Sequence, residues 1–550
     1  MKTLGHWGLV IVMGLLEVLS GFASTATPPG PATGSGPAFG AQATGAVYYV
    51  APDGDDTSPG SVDEPWATLQ FAADTVTPGD EVVVLDGEYA GFRLETSGTA
   101  EDSIHFRADG EGAVINADGP TGDGIRLQNV GYIVIEGFRI ENVSGRGIAH
   151  RGATPVEPVR GLVIRDNTVV TTGSEGMYLS EVADSQVENN TIVGAGTGST
   201  LLRGHGIYLA NAGSDGTTIR GNDISGSLTA GIHFNGDLSV GGDGIISGLL
   251  IEDNVIHDNG QNGFNMDGVQ DSVIRNNLIY GNELNGIRAY AIDAAEGPRG
   301  LRIVNNTIHV PADGYWCVRI TEDLGDNVVF NNILMNDYPY GGSIALDSTS
   351  GFASARNAVV DRFTPDRSDT ILTLAEWQAL GYDAGSFVTQ PLELFIDVAA
   401  ADYRLQAGSD AVDAGLSEFA GHAAPANDII GVKRPVGIAV DIGAYEFASA
   451  LALHGTPANR AIYLNWTVSV TLPVTSTWQI AYDGPTGDQH SPISGIISPT
   501  RAYTLTGLTN YTWYTVTLNG MLDDTPFLTD TVRVKPSDIF VHLPLVLKEG

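Results

Sequence analysis

A single cysteine, Cys317, in 550 residues excludes an intrachain disulfide framework and a cysteine-based zinc site. Positive charge is nearly as scarce: 27 basic residues stand against 65 acidic ones, a formal net charge of −38. With no basic footprint to displace counterions, nucleic acid is excluded as a partner. The same charge repels a polyanionic glycan unless cations such as calcium bridge the two. Beyond the first twenty or so residues no apolar run is long enough to cross a bilayer. Helical spacing of apolar residues is missing from the middle of the chain, and charged residues make up only 17%.

What is abundant is glycine, 70 residues, nearly twice the usual share, which suits many tight turns between short strands. Residues 132–346 repeat one phrase about eight times. Gly248-Leu-Leu-Ile-Glu-Asp-Asn254-Val-Ile256 leads to Asn262-Gly-Phe-Asn-Met-Asp267, and Asp271-Ser-Val-Ile-Arg-Asn-Asn277-Leu-Ile279 leads to Asn285-Gly-Ile-Arg-Ala-Tyr290. The asparagine recurs at Asn167, Asn190, Asn222, Asn254, Asn277, Asn306 and Asn332, with Phe138 in its place in the first copy, at gaps of 23 to 32 residues. That period, with β-branched alternation, predicts a solenoid of short parallel strands, a right-handed parallel β-helix. One coil cannot bury its inner face alone, so stacking makes the core. The asparagine column is expected to be a structural ladder of amides rather than a site.

The N-terminus reads as an export signal over residues 1–26: Lys2, an apolar stretch Leu9–Leu19 broken by Glu17, then small residues to Ala26. Residues 27–45, rich in Pro, Gly, Ala and Thr, read as a disordered lead-in. The β-helix is expected over 46–447. It opens with Tyr48-Tyr-Val-Ala-Pro-Asp-Gly-Asp55, Pro65-Trp-Ala-Thr-Leu-Gln70, a short helix over Ala67–Thr75, and Pro78-Gly-Asp80. This opening resembles the N-terminal cap of secreted β-helix proteins of the pectate-lyase-like superfamily, in particular the polysaccharide lyase branch. Thr373–Gln378 predicts a short surface helix. Asp441-Ile-Gly-Ala-Tyr-Glu446 resembles the closing segment of secreted bacterial β-helix proteins, and places the chain outside or on the surface of a bacterial cell.

From residue 451 the texture changes to alternating strands: Ala461–Trp466, Trp478–Tyr482, Tyr503–Leu505 and Leu508–Val516. Residues 451–536 resemble a fibronectin type III sandwich, which makes Tyr511 the corner tyrosine whose hydroxyl returns to the backbone. Residues 537–550 form a tail.

The informative positions follow the glycine of each copy. In Gly-apolar-x-apolar-x the apolar residues point inward and the x residues face solvent. Successive coils then present Tyr178, Tyr208, His233, Asn265 and Arg288 in one outward column, with Ser180, Ala210, Asn235, Asp267 and Tyr290 beside it. Such a strip offers aromatic platforms, amides, an acid–base candidate and a cation, which is what a sugar chain would lie on. Cleaving a uronic acid chain by β-elimination needs a base at C5, neutralisation of the carboxylate and an acid for the leaving oxygen. His233, Tyr208 and Tyr290 are candidates for proton transfer, Arg288 for the carboxylate, and Tyr178, Asn265 and Asn235 for binding. Asp267 and Asp237 are candidate calcium ligands through oxygen, and the long loop Asp237–Gly244 is a candidate groove wall.

Asn262-Gly-Phe-Asn-Met-Asp267 also resembles coils of the β-helical alginate C5-epimerases, with Asp267 at the matching offset. Where those enzymes carry Asp-Pro-His in the preceding coil, this sequence reads His233-Phe-Asn235. Two functions are therefore carried forward: a monomeric polysaccharide lyase or epimerase-like enzyme, and a non-catalytic extracellular protein that binds glycan or protein.

Overall fold

The computed structural model describes residues 45–538 apart from 156, 198–202, 212, 367–369, 407, 437–438, 448–450, 469–474, 484–491 and 523–524. The export segment, all but the last residue of the lead-in, and the tail from 539 onward lie outside the described residues.

The alternating runs form three parallel sheets of twelve, eleven and twelve strands, wound as a β-solenoid. Inward positions stack like on like: Ile232, Phe264 and Ile287 are neighbours on three successive coils, and all are buried. The asparagines do form a ladder. From Asn167 to Asn332 each amide nitrogen and side-chain nitrogen donates to Oδ1 of the next coil's asparagine at 2.8–3.1 Å. The ladder runs one coil further than the sequence reading had it, to Asn357. The residue just before each rung, such as Asp253 (φ 58°) or Asn276 (φ 52°), turns the corner in the left-handed region that Asn and Asp tolerate.

Both ends of the core are closed by helices. At the N-terminal end Leu69–Thr75, capped by the Thr68 hydroxyl, buries Leu69, Ala72 and Ala73. At the C-terminal end the expected surface helix is present at Leu374–Ala379, held by a Thr373–Glu376 capping box, and its inner side closes the core: Trp377 is 0% exposed and stacks on Phe363 with ring centroids 5.3 Å apart. Trp377 is the lid of the last coil. Residues 391–447 then run back along the outside of the third sheet. Leu394, Phe395, Tyr403 and Ile442 cover Leu278, Ile333 and Met335 there. Asn276, Asn305 and Asn331 tie this strap down by donating to the carbonyls of Asn427, Asp441 and Leu416 at 2.8 Å each. Arg434, paired with Glu446 at 2.7 Å and donating to the Asp441 and Gly443 carbonyls, holds the strap's own shape.

Residues 451–534 form two antiparallel sheets of three and four strands around Trp466 and Trp478. Tyr511 does not return its hydroxyl to the backbone. Its left-handed φ of 60° turns the side chain toward the solenoid, where the hydroxyl meets Arg139 and Asp538. The backbone-bonded tyrosine is Tyr514, whose hydroxyl accepts from the Thr509 amide at 2.9 Å. A cavity of about 590 Å³ lies between solenoid and sandwich, lined by Arg107, Glu111, Arg139, Tyr511, Trp513 and Arg533 among others, away from the outward strip.

Candidate functional site: a donor-rich strip on the second sheet

The register of the eleven-stranded sheet sets Tyr178, Tyr208, His233, Asn265 and Arg288 side by side on consecutive strands. Ser180, Ala210, Asn235, Asp267 and Tyr290 line up two residues on. The strip extends past both ends of the sequence-read column, with Arg126 on the strand next but one before Tyr178 and Arg319 after Arg288.

A residue outside both columns decides the chemistry of His233. His205 precedes the leading glycine of its coil, and its Nε2 lies 3.0 Å from Nδ1 of His233. The amide of Ala230 can only donate, and it donates to Nδ1 of His205 at 3.3 Å. With both rings neutral, His205 therefore carries its proton on Nε2, gives it to Nδ1 of His233, and leaves His233 protonated on Nε2. Both rings are kept neutral by burial: His205 falls to about 4, and His233 lies well below its ordinary value, pushed further by the charges of His205 and Arg288. Nε2 of His233 is shielded from solvent and has no partner among the described residues, and the same holds for Oδ1 of Asn235.

The tyrosines are held as donors too. Asn235 donates to the Tyr208 hydroxyl at 2.9 Å and Asn265 to the Tyr290 hydroxyl at 2.8 Å, so each hydroxyl is left free to give its own proton. Burial pushes Tyr208 up to about 12 and raises Tyr290 as well, with Asp267 adding to the latter. Asn265 is fixed in turn by Asn262, and Asn262 by Asn285, at 3.0 and 2.7 Å. The expected aromatic platforms are not free. His233 stacks flat on Tyr208 (4.7 Å, 9°), Arg146 and Arg151 lie over Tyr178 (4.6 and 5.3 Å), and Arg288 lies over Tyr290 (4.1 Å). Ring faces expected to meet sugar are occupied by neighbouring side chains.

Arg288 itself is half-buried, and among the described residues no carboxylate lies within ion-pair distance of it. The earlier arginines differ: Arg126 pairs with Asp123, and Arg146 with Glu175 at 2.9 Å.

The calcium ligands do not fit. Asp267 is 2% exposed, and its carboxylate accepts from the amides of Ile292 (2.9 Å), Asp293 (3.0 Å) and Ala294 (3.4 Å). Three amide dipoles aimed at one carboxylate oppose a cation at the same lone pairs. Burial raises this carboxyl, against those amides. Asp237 caps the single turn Leu238–Val240 through the Ser239 amide. Among the described residues no group of three or more His, Cys, Asp or Glu is arranged to hold a metal. What Asp267 builds is a wall. The loop after Asn235 and the loop after Tyr290 are joined by Leu238 donating to the Asp293 carbonyl and Ala295 to the Gly244 carbonyl, both at 3.0 Å.

Sequence reasoning missed His205, Glu175, Arg146 and Asn262 because it began after the glycine. The residue before each leading glycine forms a third register: Asp123, Arg146, Glu175, His205, Ala230, Asn262 and Asn285. The signal was present as Gly204-His-Gly206 and Asn262-Gly263.

Comparison with known proteins agrees with the fold. Residues 48–197 match the family described as Pel9A-like, right handed beta helix region, and residues 197–360 match the right handed beta helix region family. Protein YwoF of Bacillus subtilis (strain 168), itself uncharacterised, is 24% identical over 303 residues, which is 49% of this chain and 63% of that protein. Pectate lyase PEL9 of Emericella nidulans is 34% identical over 77 residues, covering 13% and 19%. The chain thus spans 63% and 19% of the lengths of these two relatives. The crystal structure of pectate lyase Pel9A shares 16% identity over 73% of this chain and 96% of that one, with a TM-score of 0.48. A rhamnogalacturonan lyase shares 16% over 55% and 82%, with a TM-score of 0.32.

Proposed function

We propose, from a right-handed β-helix of pectate-lyase-like fold, that this protein is exported and acts on an acidic, uronate-containing polysaccharide laid along the strip from Tyr208 to Arg288. The observation that carries this reading is Arg288: a half-buried guanidinium with no carboxylate partner among the described residues, in a chain with 65 acidic and 27 basic residues. A sugar carboxylate supplies the planar, bidentate acceptor a guanidinium fits. Around it the Tyr208 and Tyr290 hydroxyls, each accepting from an asparagine, are left to donate. The names of the pectate lyase relatives support a glycan substrate. The two-sheet unit at 451–534 is a fibronectin type III-like spacer in this reading. No helix among the described residues is long and apolar enough to cross a membrane.

Two modes of action use these groups. In elimination, Arg288 neutralises the carboxylate and thereby acidifies C5–H, a tyrosinate takes that proton, C4=C5 forms as the C4–O bond breaks, and a second tyrosine hydroxyl gives its proton to the leaving oxygen. In plain binding the same donors only hold the chain. One observation favours binding near neutral pH: Tyr208 and Tyr290 hold their protons, and the Nδ1 lone pair of the neutral His233 is already used by His205.

The test is to incubate the purified protein with sodium polygalacturonate and sodium alginate, following both ultraviolet absorbance of unsaturated product and retardation in affinity electrophoresis. Retardation abolished by Arg288→Ala supports the reading, and an absorbance rise would add elimination. No retardation and no absorbance change with either polymer refutes it.

A further inference from the structure

If the tyrosine faces on the strip are occupied, a sugar ring must find its aromatic surface elsewhere, and the structure has one within reach. Tyr315, Tyr338 and Tyr340 form a cluster with ring centroids 6.2 and 5.6 Å apart. Tyr340 is 71% and Tyr315 48% exposed. Aromatic rings left in water on this scale forfeit burial that a partner could return.

Their place in the solenoid is specific. Tyr315 donates its amide to the Leu284 carbonyl, and Asn285 Oδ1 accepts from the Trp316 amide, so Tyr315 stands one coil beyond Leu284, just ahead of the strand Ile287–Tyr290 that carries Arg288. Tyr338 and Tyr340 stand one coil further, just ahead of the strand Gly342–Leu346 of the same sheet. Trp316 and Gly342 continue the register of His205, Asn262 and Asn285, so at roughly 4.8 Å per coil Tyr315 and Tyr340 stand one and two residues ahead of that edge.

The cluster is also held in shape. Asn336 donates to the carbonyls of Tyr315 (2.8 Å) and Gly342 (3.1 Å) and accepts from the Tyr338 amide (2.9 Å). Gly341 closes the turn with its amide on the Tyr338 carbonyl, and lies so near the Tyr315 carbonyl that a Cβ would stand 1.7 Å from it. Pro339 fixes the residue between the two tyrosines. Preorganised tyrosines give large amphipathic contact area at little entropic cost.

We propose that Tyr315, Tyr338 and Tyr340 form an aromatic subsite that stacks against pyranose rings of the same acidic chain, a few units away from the unit whose carboxylate meets Arg288. The proposal rests on the functional reading above and adds length dependence to it. A short oligomer bound at Arg288 does not reach the cluster, whereas a polymer spans both.

Affinity electrophoresis of the full chain in polygalacturonate and alginate, paired with calorimetric titration of oligogalacturonates of increasing length, tests it. Tyr315→Ala/Tyr340→Ala should weaken polymer binding roughly five- to tenfold and leave the shortest binding oligomers unaffected. Tyr340→Trp should keep polymer binding, which separates stacking from damage to the loop. Arg288→Ala should weaken short and long ligands alike. Polymer binding unchanged in the double tyrosine variant, while Arg288→Ala loses it, overturns the subsite and leaves the functional reading intact. Loss in the tyrosine variant with Arg288→Ala unaffected does the reverse. Absence of binding by the unmodified protein refutes both.

Discussion

Nε2 of His205 lies 3.0 Å from Nδ1 of His233, and the direction of that hydrogen bond is set two atoms further back, by the Ala230 amide on Nδ1 of His205. A backbone donor thereby dictates which nitrogen of a strip histidine carries the proton.

Nitrogen-15 shifts of the two rings should show Nε2–H tautomers for both, with neither protonated at pH 6. Replacing His205 by alanine frees Nδ1 of His233 and removes one of the two neighbours that depress it. The His233 titration should then move upward toward the ordinary histidine value. An unchanged titration would mean that burial and Arg288, without His205, govern this ring.

Any elimination activity that uses Tyr208 should climb with pH. Its proton is held up to about 12, so the tyrosinate fraction rises about tenfold per pH unit across the alkaline range. Tyr208→Phe should abolish that climb. A rate that levels off near pH 7 would point to a base other than the strip tyrosines.

Arg288→Lys keeps the charge but loses the planar fork that lies over the Tyr290 ring. Polyuronate affinity should drop about tenfold, close to the effect of alanine substitution. Full retention of affinity by lysine would reduce the role of Arg288 to that of a point charge.

Asp253 occupies the left-handed corner before the rung Asn254. Burial, then the charge of Glu252, raises its carboxyl to about 7. Folded protein therefore holds this proton between the ordinary carboxylate range and about 7, where unfolded chain has released it, so stability present at acid pH is lost as pH rises through 7. Asn suits the same corner, as Asn276 and Asn305 show. Asp253→Asn should leave the melting temperature unchanged at pH 4 and raise stability by about 1 kcal/mol at pH 8, a modest figure because the side chain is partly exposed.

Asn254→Ala removes a rung that bonds the coils on both sides. The Asn222 amide and side-chain nitrogen lose their acceptor and the Ile219 carbonyl loses the side-chain donor, while Oδ1 of Asn277 keeps only the backbone amide of residue 254. The cost should be at least about 3 kcal/mol in chemical denaturation. Asn254→Ser, with a shorter hydroxyl, should recover only part of it.

The solenoid was legible because its rule is local. Each inward residue meets the same residue of the next copy, so period alone gives register, and the column from Tyr178 to Arg288 follows. What was not legible came from elsewhere in the chain or from short range. Asp267 appears as a carboxylate on a face, yet its partners are amides of a loop some 25 residues on that carries no signature. The helix carrying Trp377 was legible as a surface helix, but its role as a lid was not, because the open end of a core leaves no trace in a repeat. The tyrosine faces of the strip were counted as free because alternation tells which side a ring is on and says nothing of its neighbours. Paired Asn-Asn did hold information. Asn276, Asn305 and Asn331, each just ahead of a rung, are the corners that receive the strap, and at Asn189 the backbone carbonyl and side chain meet Lys535 and Arg533 of the sandwich.

A stack of repeats ordinarily unravels like a coil of rope, shedding loops from a loose end at the expense of one interface at a time. The strap at 391–447 changes that order. Its anchors at Asn276, Asn305 and Asn331 lie on three consecutive coils, and the first of these coils carries Arg288. Fraying that begins beside Trp377 therefore stalls until the strap lets go of all three at once. The coils that would grip a long polymer under tension are bound crosswise as well as end to end, and they should be the last to yield when that polymer pulls.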